Sequence, residues 1–482
     1  MSTLLKRLGR GSFRYGLGDM LQMGVAFLLV PVYTRYLPPS DYGIIAVITA
    51  AGSMLAVAFG LGLRGSVVRH YYDFTDDHEE VRSYMGSVFL TYLVGGGALA
   101  ALLYMAGPWL TERLLLQVPF HPFISLTIWT AYVSAGGAII LGLYRAREQS
   151  WRYVALQAGG SILTLLLIVV FVVGLGRGVV GHVEGAALAS TFLIVVYLVL
   201  VSREVRWGIS LPKARAALVF GLPLVPHLLA ASITAVFDRF VLERYVTLGD
   251  LGLYLLGYQI GMIVSFAATA VNAAWSPIFY DTAKSRSDAP AVISRLTTLY
   301  AAGIVLISAC VIMFGREIID LVAPSSYHEA RRVVPVVAVA YCFQGLYFMC
   351  VTPLFYAKKT QIIPFLTGVS AGLSLLLLFV LVPRLGIMGA AYATLLAYFA
   401  QWMLTVAAAR RWYAIPYDWA RLGGAGGLLL LVVVVEAATR EVSGLAAYAT
   451  GPATLLGLAV GLIALRIIPV RSWRLLEEWL DA

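Results

Sequence analysis

Charged residues are scarce in this chain, which lacks much of what a water-soluble protein needs. Only 12% of its 482 residues are charged, whereas 60% are hydrophobic and the mean hydropathy is +0.86. Soluble domains carry about 25% charged residues. A chain this apolar cannot cover a soluble surface with polar groups. The composition therefore excludes soluble domains, collagens, disordered tails and nucleic-acid binders, and it predicts an integral membrane protein.

Cysteine and histidine are also rare, which argues against disulfide frameworks and metal centres. All three cysteines lie in apolar runs. Cys342 and Cys350 would be about 12 Å apart on one helix, which is too far for a disulfide bond. The six histidines show no spacing typical of metal ligands. We therefore expect no metal and no cofactor. No cleavable signal peptide is evident, because the first apolar run is too long.

Long apolar runs dominate the sequence instead. A membrane-spanning helix needs roughly 20 mostly apolar residues. Fourteen runs meet this requirement: residues 13–36, 42–63, 83–107, 123–144, 153–176, 186–202, 217–242, 252–280, 297–315, 334–357, 363–383, 389–409, 422–438 and 447–467. They are too long and too continuously apolar for the strands of a membrane barrel. The sequence predicts an all-α membrane protein with about fourteen transmembrane helices.

The distribution of positive charge predicts the orientation of these helices. Most of the 35 lysines and arginines fall on one side of the membrane if the N-terminus is cytoplasmic. Both termini are then cytoplasmic, and the net charge of +10 reflects topology rather than nucleic-acid binding. The tail Ser472–Ala482 is predicted to be a short amphipathic helix on the cytoplasmic surface. No loop is long enough to hold a soluble catalytic domain.

The sequence contains an internal repeat of three landmarks. Each landmark occurs once in each half of the chain. The first is Arg35-Tyr36, Asp41 and Gly43, which recurs as Arg244-Tyr245, Asp250 and Gly252. The second is Tyr144, which recurs as Tyr356, and the third is Gly185-Ala186-Ala187, which recurs as Gly389-Ala390-Ala391. The spacing of 204 to 212 residues covers six helices. After an even number of membrane-spanning helices the chain is back on its starting side of the membrane. The two halves are therefore predicted to be parallel repeats, related by an axis normal to the membrane. We expect two six-helix lobes around a central cavity, in residues 1–202 and 203–412. Helices 13 and 14 and the tail occupy 413–482.

Several of these residues carry a resemblance to a known family. Pro31–Gly43 is similar to the first hairpin of Wzx-type polysaccharide flippases, and Phe59–Arg69 to the end of their second helix. The seventh and eighth helices of these flippases carry motifs similar to Gly221-Leu222-Pro223, Asp238-Arg239 and Gly252-Leu253-Tyr254 of this chain. These flippases belong to the multidrug/oligosaccharidyl-lipid/polysaccharide exporter superfamily, which both Gly-Ala-Ala segments also resemble. Many Wzx-type proteins are given twelve helices, and a count of fourteen resembles the lipid II flippases of that superfamily.

The resemblance implies a role in surface polysaccharide biosynthesis. It implies a flippase that moves a polyprenyl-diphosphate-linked oligosaccharide from the cytoplasmic to the periplasmic leaflet of a bacterial inner membrane by alternating access. Its partners would be that glycan, membrane lipid, H+ or Na+, a polysaccharide polymerase and glycosyltransferases. Two alternatives stay open. One is a multidrug/cation antiporter of the same superfamily, which would need a more acidic cavity. The other is a membrane polymerase or glycosyltransferase, which would need a larger external domain.

Arginines in or beside the spans are the candidate substrate-binding residues. A charge within a span costs roughly 2.5–3.5 kcal/mol on insertion scales, so it usually faces a cavity or a partner. Arginine pairs bidentately with phosphate oxygens, and the implied diphosphate would be bound by Arg35, Arg64, Arg69 and Arg239. The alternative is that these arginines snorkel at the membrane interface. A direct ion pair between Asp238 and Arg239 is not expected, because adjacent helical residues do not face each other.

Three polar residues are candidates for ion coupling. Asp19 in the first helix resembles the coupling acid of drug exporters in the superfamily. Asp238 is the second candidate, and Asn272, the only asparagine in the chain, is the third. Each has a structural alternative, a hydrogen bond between two helices, and for Asn272 we favour that alternative.

Three prolines are candidate hinges, because proline removes a backbone hydrogen bond and permits bending. Pro223 and Pro226 open the seventh helix, and Pro277 lies late in the eighth. Prolines are also common in spanning helices that do not bend in function. The acids between Asp73 and Glu80 predict a solvated acidic loop in preference to a cation site.

Overall fold

The structure is a computed structural model that describes residues 24, 27–73, 77–440 and 445–467. All regular secondary structure in these residues is helical, which confirms the predicted all-α class. The chain divides into two compact units, Met1–Gly252 (unit 1) and Leu253–Ala482 (unit 2). The lobe boundaries at residues 202 and 412, like the central cavity, rest on the repeat and stay a prediction.

Unit 1 is built from short and long helices in chain order. They are α1 at 27–36, α2 Pro39–Phe59, α3 Leu63–His70, α4 His78–Thr91, α5 Gly97–Leu114, α6 Ser125–Ala146, α7 Ser150–Val169, α8 Gly178–Glu204, α9 Leu211–Gly221, α10 Leu224–Val236 and α11 Asp238–Tyr245. A π-helical turn, Tyr92–Gly96, joins α4 to α5. Helix α6 packs against α2, α3 and α8, and α9 packs against α3 and α4. The helix α12, Leu248–Gly261, begins in unit 1 and continues into unit 2.

Unit 2 contains the remaining described helices. They are α13 Ile263–Ser285, α14 Ala289–Met313, α15 Gly315–Val322, α16 Val333–Tyr356, α17 Ile362–Leu385, α18 Ile387–Ala409, α19 Trp419–Thr439 and α20 Leu445–Ala464. Its centre is α16, which packs against α13, α14 and α18. Helices α19 and α20, which follow the predicted repeat, pack against each other and against α14.

Twelve helices in the described residues are long and apolar enough to cross a membrane. They coincide with twelve of the predicted spans, and they confirm a protein that crosses the membrane many times. Most of the first predicted span, 13–36, lies outside the described residues, and the last contributes the shorter apolar helix Thr450–Ala464. The count of fourteen therefore stays a prediction. The predicted tail helix Ser472–Ala482 also lies outside the described residues.

Local sequence signals place several helix starts. Helix α2 begins at Pro39, whose fixed φ suits the first helical turn. Helix α4 begins after Asp77, whose carboxylate accepts the backbone N–H of Glu79 at 2.8 Å. Helix α19 begins after Asp418, which accepts the N–H of Arg421 at 3.1 Å. In each case a residue suited to a helix cap or to the first helical turn marks where the helix begins.

Two helix interruptions in unit 1 meet each other. Helices α2 and α3 are separated by the turn Gly60–Gly62, in which Gly62 has a φ of +68°. Helices α9 and α10 are separated at Leu222 and Pro223. A Cβ built on Gly62 would lie 2.0 Å from the carbonyl oxygen of Gly221. Glycine is required here both by the positive φ and by the close approach of the two backbones.

The repeated Gly-Ala-Ala segments serve helix packing. A Cβ built on Gly185 of α8 would lie 2.9 Å from Ile168 of the preceding helix α7. A Cβ built on Gly389 of α18 would lie 2.4 Å from the carbonyl oxygen of Leu381 in α17. Small residues allow backbones to approach this closely. Each segment thus packs its helix on the preceding helix of its own unit.

Candidate functional site

The most buried candidate residues are Asp238 and Arg239 at the start of α11. They are 6% and 8% exposed. Nη1 of Arg239 donates to Oδ1 of Asp238 at 2.9 Å and to the carbonyl oxygen of Ala235, also at 2.9 Å. The Asp238 carboxylate also accepts the backbone N–H of Arg239 at 2.9 Å. This arrangement holds a guanidinium and a carboxylate together inside the protein.

The expectation that Asp238 and Arg239 do not pair directly is wrong. Its basis was a regular helix, but the helix is interrupted at Phe237, between α10 and α11. Helical side chains point toward the N-terminus of their helix. The long Arg239 side chain therefore reaches back to the carbonyl oxygen of Ala235 and passes the Asp238 carboxylate on the way.

The other three candidate arginines are exposed. Arg35 lies in the last turn of α1, and Arg64 lies in the first turn of α3. A Cβ built on Gly142 of α6 would lie 3.3 Å from Cγ of Arg64, so the aliphatic part of that side chain packs on α6. Arg69, on the last turn of α3, forms an ion pair with Asp73 at 2.9 Å. All three side chains thus lie at the surface of the protein.

Packing relates the elements that carry these arginines. Helices α10 and α11 pack against α2, and α3, which carries Arg64 and Arg69, follows α2 in the chain. Helix α9 packs against α3. All four candidate arginines thus lie in unit 1, on α1, α3 and α11. Assignment of these residues to a substrate site stays a prediction.

The candidate coupling residues have different surroundings. Asp19 lies outside the described residues. Asp238 is engaged by Arg239 as described above. Asn272 lies in α13 and is half-buried, and it makes no hydrogen bond to another described residue. The helix-to-helix hydrogen bond that we favoured for Asn272 therefore has no counterpart among the described residues.

The candidate hinge prolines are exposed and differ in their effect on the helix. Pro223 marks the interruption between α9 and α10, and Pro226 lies in the first turn of α10. Pro277 lies inside α13, which runs on without interruption to Ser285. The predicted eighth helix is instead interrupted at Met262, between α12 and α13. A hinge role for the prolines stays a prediction.

The described acids between α3 and α4 and at the start of α4 form ion pairs or cap a helix. Asp77 caps α4, and Glu79 pairs with Arg82 at 3.0 Å. Glu80 pairs with Lys213 of α9 at 2.6 Å. These contacts fasten the start of α9 to α4. Because the acids have cationic partners, the structure gives no support to a cation site among the described acids.

Sequence reasoning missed one buried acid, Glu243 on α11. Its side chain is fully buried, and its Oε1 accepts the backbone N–H groups of Gln117 and Val118, the latter at 3.3 Å. The side-chain amide of Gln117 donates to the carbonyl oxygens of Glu243 and Val246, the latter at 2.8 Å. The loop between α5 and α6 thus caps the end of α11. No sequence signal identifies this contact, because the partners are 126 positions apart.

Comparison with known proteins identifies the family. A family model described as "Polysaccharide biosynthesis protein" matches residues 8–283, which is more than half of the chain. The chain belongs to this family. A protein of the Lsg locus of Haemophilus influenzae is 22% identical over 379 residues, covering 73% of this chain and 86% of that relative. The family match confirms the predicted link to polysaccharide biosynthesis.

Solved structures show the fold of this polysaccharide biosynthesis protein. The lipid II flippase MurJ in its inward closed conformation has a TM-score of 0.68 at 14% identity, covering 95% of this chain and 98% of that chain. A mutant of the MATE transporter VcmN of Vibrio cholerae has a TM-score of 0.58 at 16% identity, covering 85% and 98%. These likenesses show the fold, which this chain shares with solved membrane transporters.

Proposed function

We propose that this transporter flips a polyprenyl-diphosphate-linked oligosaccharide from the cytoplasmic to the periplasmic leaflet of a bacterial inner membrane. The observation that carries the proposal is the match to the polysaccharide biosynthesis family over residues 8–283 in a chain with a transporter fold. In the proposed cycle the glycan head group crosses through the protein by alternating access, while the polyprenyl chain stays in membrane lipid. Both termini are cytoplasmic in this proposal.

The head group would be bound in turn as it crosses, by Arg64 and Arg69 beyond one end of α2 and by Arg35 and Arg239 toward the other. A diphosphate carries about two negative charges, and guanidinium groups donate paired hydrogen bonds to its oxygens. The exposed guanidinium groups support an encounter with a charged substrate. At Arg69 the diphosphate would replace Asp73, an exposed partner whose loss costs little. At Arg239 the diphosphate would compete with the buried carboxylate of Asp238, so Asp238 would limit how readily the diphosphate binds to that arginine.

Ion coupling would rest on Asp19, Asp238 and Asn272, with H+ or Na+ as the ion. Binding of the diphosphate to Arg239 would free the carboxylate of Asp238, which then favours a cation as its new partner. This exchange links substrate and ion at neighbouring residues. Bending at Pro223, Pro226 and Pro277 would accompany the cycle. A polysaccharide polymerase and glycosyltransferases would consume and supply the glycan.

A reconstituted flipping assay tests the proposal. Purified protein is placed in liposomes with a fluorescent polyprenyl-diphosphate oligosaccharide, and an impermeant glycosidase reports how much glycan reaches the outer leaflet. We expect glycan in the inner leaflet to become accessible only in liposomes that contain the protein. Arg239→Gln and the Arg64→Gln/Arg69→Gln double variant should lose this activity. Arg113→Gln is the matched control, because Arg113 is an exposed arginine outside the proposed site.

Two results would overturn the proposal. One is that the wild-type protein gives no more glycan exposure than empty liposomes. The other is efflux of cationic drugs against an ion gradient without any glycan flipping, which would identify a multidrug antiporter. Full flipping by both Arg239→Gln and the Arg64→Gln/Arg69→Gln variant would support the proposed function but contradict the proposed substrate site.

A further inference from the structure

The same backbone turn follows two corresponding helices, α6 in unit 1 and α16 in unit 2. Glu148 and Lys358 have a positive φ in these turns, of 55° and 56°. The next residue, Gln149 or Lys359, donates its backbone N–H to a carbonyl oxygen of the preceding helix at 2.9 Å in both units. The two turns are therefore structural equivalents, spaced as the internal repeat predicts.

In unit 1 the arginines of this region have anionic partners. Arg147, in the turn, forms a largely buried ion pair with Glu204, the last residue of α8. Its guanidinium also lies 5.9 Å from the centre of the Tyr71 ring. The turn itself carries an acid, Glu148, at its position of positive φ. Acids thus offset the arginines of the turn in unit 1.

The equivalent region of unit 2 lacks both acids. Lys358 stands where unit 1 has Glu148. At the spacing of the two Gly-Ala-Ala segments, Ala408 stands where unit 1 has Glu204. The general excess of cations on the cytoplasmic side of membrane proteins does not account for this difference, because both turns lie on the same side in the predicted topology. The loss of acids is specific to unit 2.

Four cations form what we call the basic surface of unit 2, and none of them has an ion pair with a described residue. They are Lys358, Lys359, Arg410 and Arg411. The two arginines follow directly after the end of α18. Asp418, the acid of the same loop, is engaged by Arg421 at 3.3 Å. Because the cations are not compensated by described acids, the basic surface attracts an anion.

Aromatic contacts join the two segments that carry these cations. Nζ of Lys359 lies 4.1 Å from the centre of the Trp412 ring, a cation–π contact. The rings of Tyr356 and Tyr413 meet at 5.6 Å. Trp412 is 47% exposed, and exposed tryptophans of membrane proteins favour the level of the lipid head groups. The basic surface thus lies at the ends of two membrane-spanning helices, α16 and α18, at head-group level.

Exposed apolar side chains continue from the basic surface into the spanning helices. Phe355 in the last turn of α16, Phe365 in the first turn of α17 and Met403 of α18 are 46%, 70% and 41% exposed. Helix α18 packs against both α16 and α17. A phospholipid has the same order of groups, a phosphate at head-group level and acyl chains below it. The three helices therefore offer cations to a phosphate and apolar contact to acyl chains.

We propose that the basic surface of unit 2 binds the head group of an anionic phospholipid. On the predicted topology this surface is cytoplasmic, and the cytoplasmic leaflet carries a negative surface potential. Clusters of about four to eight Lys and Arg beside a spanning helix attract such lipid, and each cation raises the affinity about fivefold. The equivalent turn of unit 1, whose arginines are offset by acids, does not bind it. The lipid is distinct from the proposed glycan carrier, and its binding does not depend on transport.

Native mass spectrometry of the purified protein in neutral detergent tests the proposal without any glycan. The protein is titrated with phosphatidylglycerol and, in parallel, with phosphatidylcholine that has the same acyl chains. We expect the parent to bind phosphatidylglycerol more tightly. Lys358→Gln/Lys359→Gln should weaken that binding roughly 25-fold, because two cations are lost, and should leave phosphatidylcholine binding unchanged. Lys358→Arg/Lys359→Arg keeps both charges and should bind phosphatidylglycerol like the parent.

Arg145→Gln/Arg152→Gln is the matched control, because it removes two exposed arginines at the equivalent turn of unit 1. This variant should bind phosphatidylglycerol like the parent. Equal weakening by the two glutamine double variants would show that only total charge matters, and it would overturn the site. Equal affinity of the parent for the two phospholipids would overturn it as well.

Trp412→Leu tests the aromatic contact and is milder than the loss of the lysines. It keeps an apolar side chain at head-group level and removes the cation–π contact with Lys359. Such a contact is worth about two- to fivefold in an equilibrium constant at an exposed site, so phosphatidylglycerol should bind more weakly by about that factor. Parental affinity in both Trp412→Leu and Lys358→Gln/Lys359→Gln would contradict the proposal.

Two other occupants of the basic surface give different results. The tail of the chain holds Glu477, Glu478 and Asp481. Phosphatidylglycerol binding that appears only in Glu477→Gln/Glu478→Gln would show that the tail covers the surface, and it would overturn the lipid site. A polyprenyl diphosphate that binds more tightly than phosphatidylglycerol, and loses affinity in Lys358→Gln/Lys359→Gln, would assign the surface to the transported substrate instead.

Discussion

Removing the Arg239 charge tests whether the buried pair on α11 is structural or binds substrate. Nη1 of Arg239 and Oδ1 of Asp238 are 2.9 Å apart, and both side chains are at least 90% buried. At an effective dielectric constant of 20, two charges at this distance attract by about 6 kcal/mol. Desolvation offsets most of that attraction, yet removing one partner of a buried pair costs about 3–5 kcal/mol.

We expect Arg239→Gln to lower the free energy of unfolding by about 3 kcal/mol. The lower end of the range applies because Asp238 keeps the backbone N–H of Arg239 as a donor. Asp238→Asn/Arg239→Gln removes both charges and should regain about 1–3 kcal/mol of that loss as a coupling energy. Titration with SDS in mixed micelles measures each free energy. Arg147 and Glu204, another largely buried ion pair in unit 1, provide the control pair.

Binding of a polyprenyl diphosphate then separates the two roles of Arg239. If the guanidinium binds the diphosphate, Asp238→Asn should bind at least as tightly as the parent, because it frees Arg239. The double variant should bind about 10- to 100-fold more weakly, the loss expected for a charged hydrogen bond. The Arg147→Gln/Glu204→Gln variant should bind like the parent. Parental affinity in the Asp238→Asn/Arg239→Gln variant would refute the assignment of Arg239 as a ligand.

Three further predictions follow from single contacts. Arg69→Gln should change the free energy of unfolding by less than about 1 kcal/mol in the SDS titration, because its ion pair is exposed. In the polyprenyl-diphosphate binding measurement the same variant should bind about tenfold more weakly. Gly62→Ala should cost more than about 2 kcal/mol in the SDS titration, because it meets backbone at a positive φ; Gly208→Ala, with no atom within 4 Å of its Cβ, should be neutral. Glu436→Gln should cost about 1 kcal/mol by weakening the bidentate pair with Arg440, with flipping unchanged because the pair lies outside the repeat.

The fold was predictable from the sequence because membrane helices are encoded locally. A run of roughly 20 apolar residues has one stable solution in a bilayer, a helix that satisfies its own backbone. The repeat was predictable for a similar reason, since Gly43 and Gly252 stand at equivalent positions of two short motifs. What the motif does was not predictable. Only the structure shows that each glycine packs on the other repeat.

The candidate site was less predictable because it depends on irregular backbone. The pair of Asp238 and Arg239 forms where the helix is interrupted at Phe237, and no proline or glycine marks that position. Glu243 lies in the same short helix and is fully buried, although an acid near the end of a predicted span suits an exposed position. Its partner Gln117 belongs to a distant loop. Contacts between distant segments leave no periodic pattern in a single sequence.

Helix α2 links the two glycine crossings of unit 1, and this restricts how the protein can change shape. One end of α2 meets Leu248 and Gly252, and the turn after its other end meets Gly221. Its 21 residues extend about 30 Å, the thickness of the hydrocarbon core, so the crossings lie near opposite faces of the membrane. A straight helix that pivots can leave one crossing while it keeps the other. The interruption at Gly60–Gly62 faces the one at Leu222 and Pro223 at one end of α2, and we predict that the pivot lies there. Separation at the Gly43 end would then leave the contact of Gly62 and Gly221 intact, which fits the alternating access that we propose.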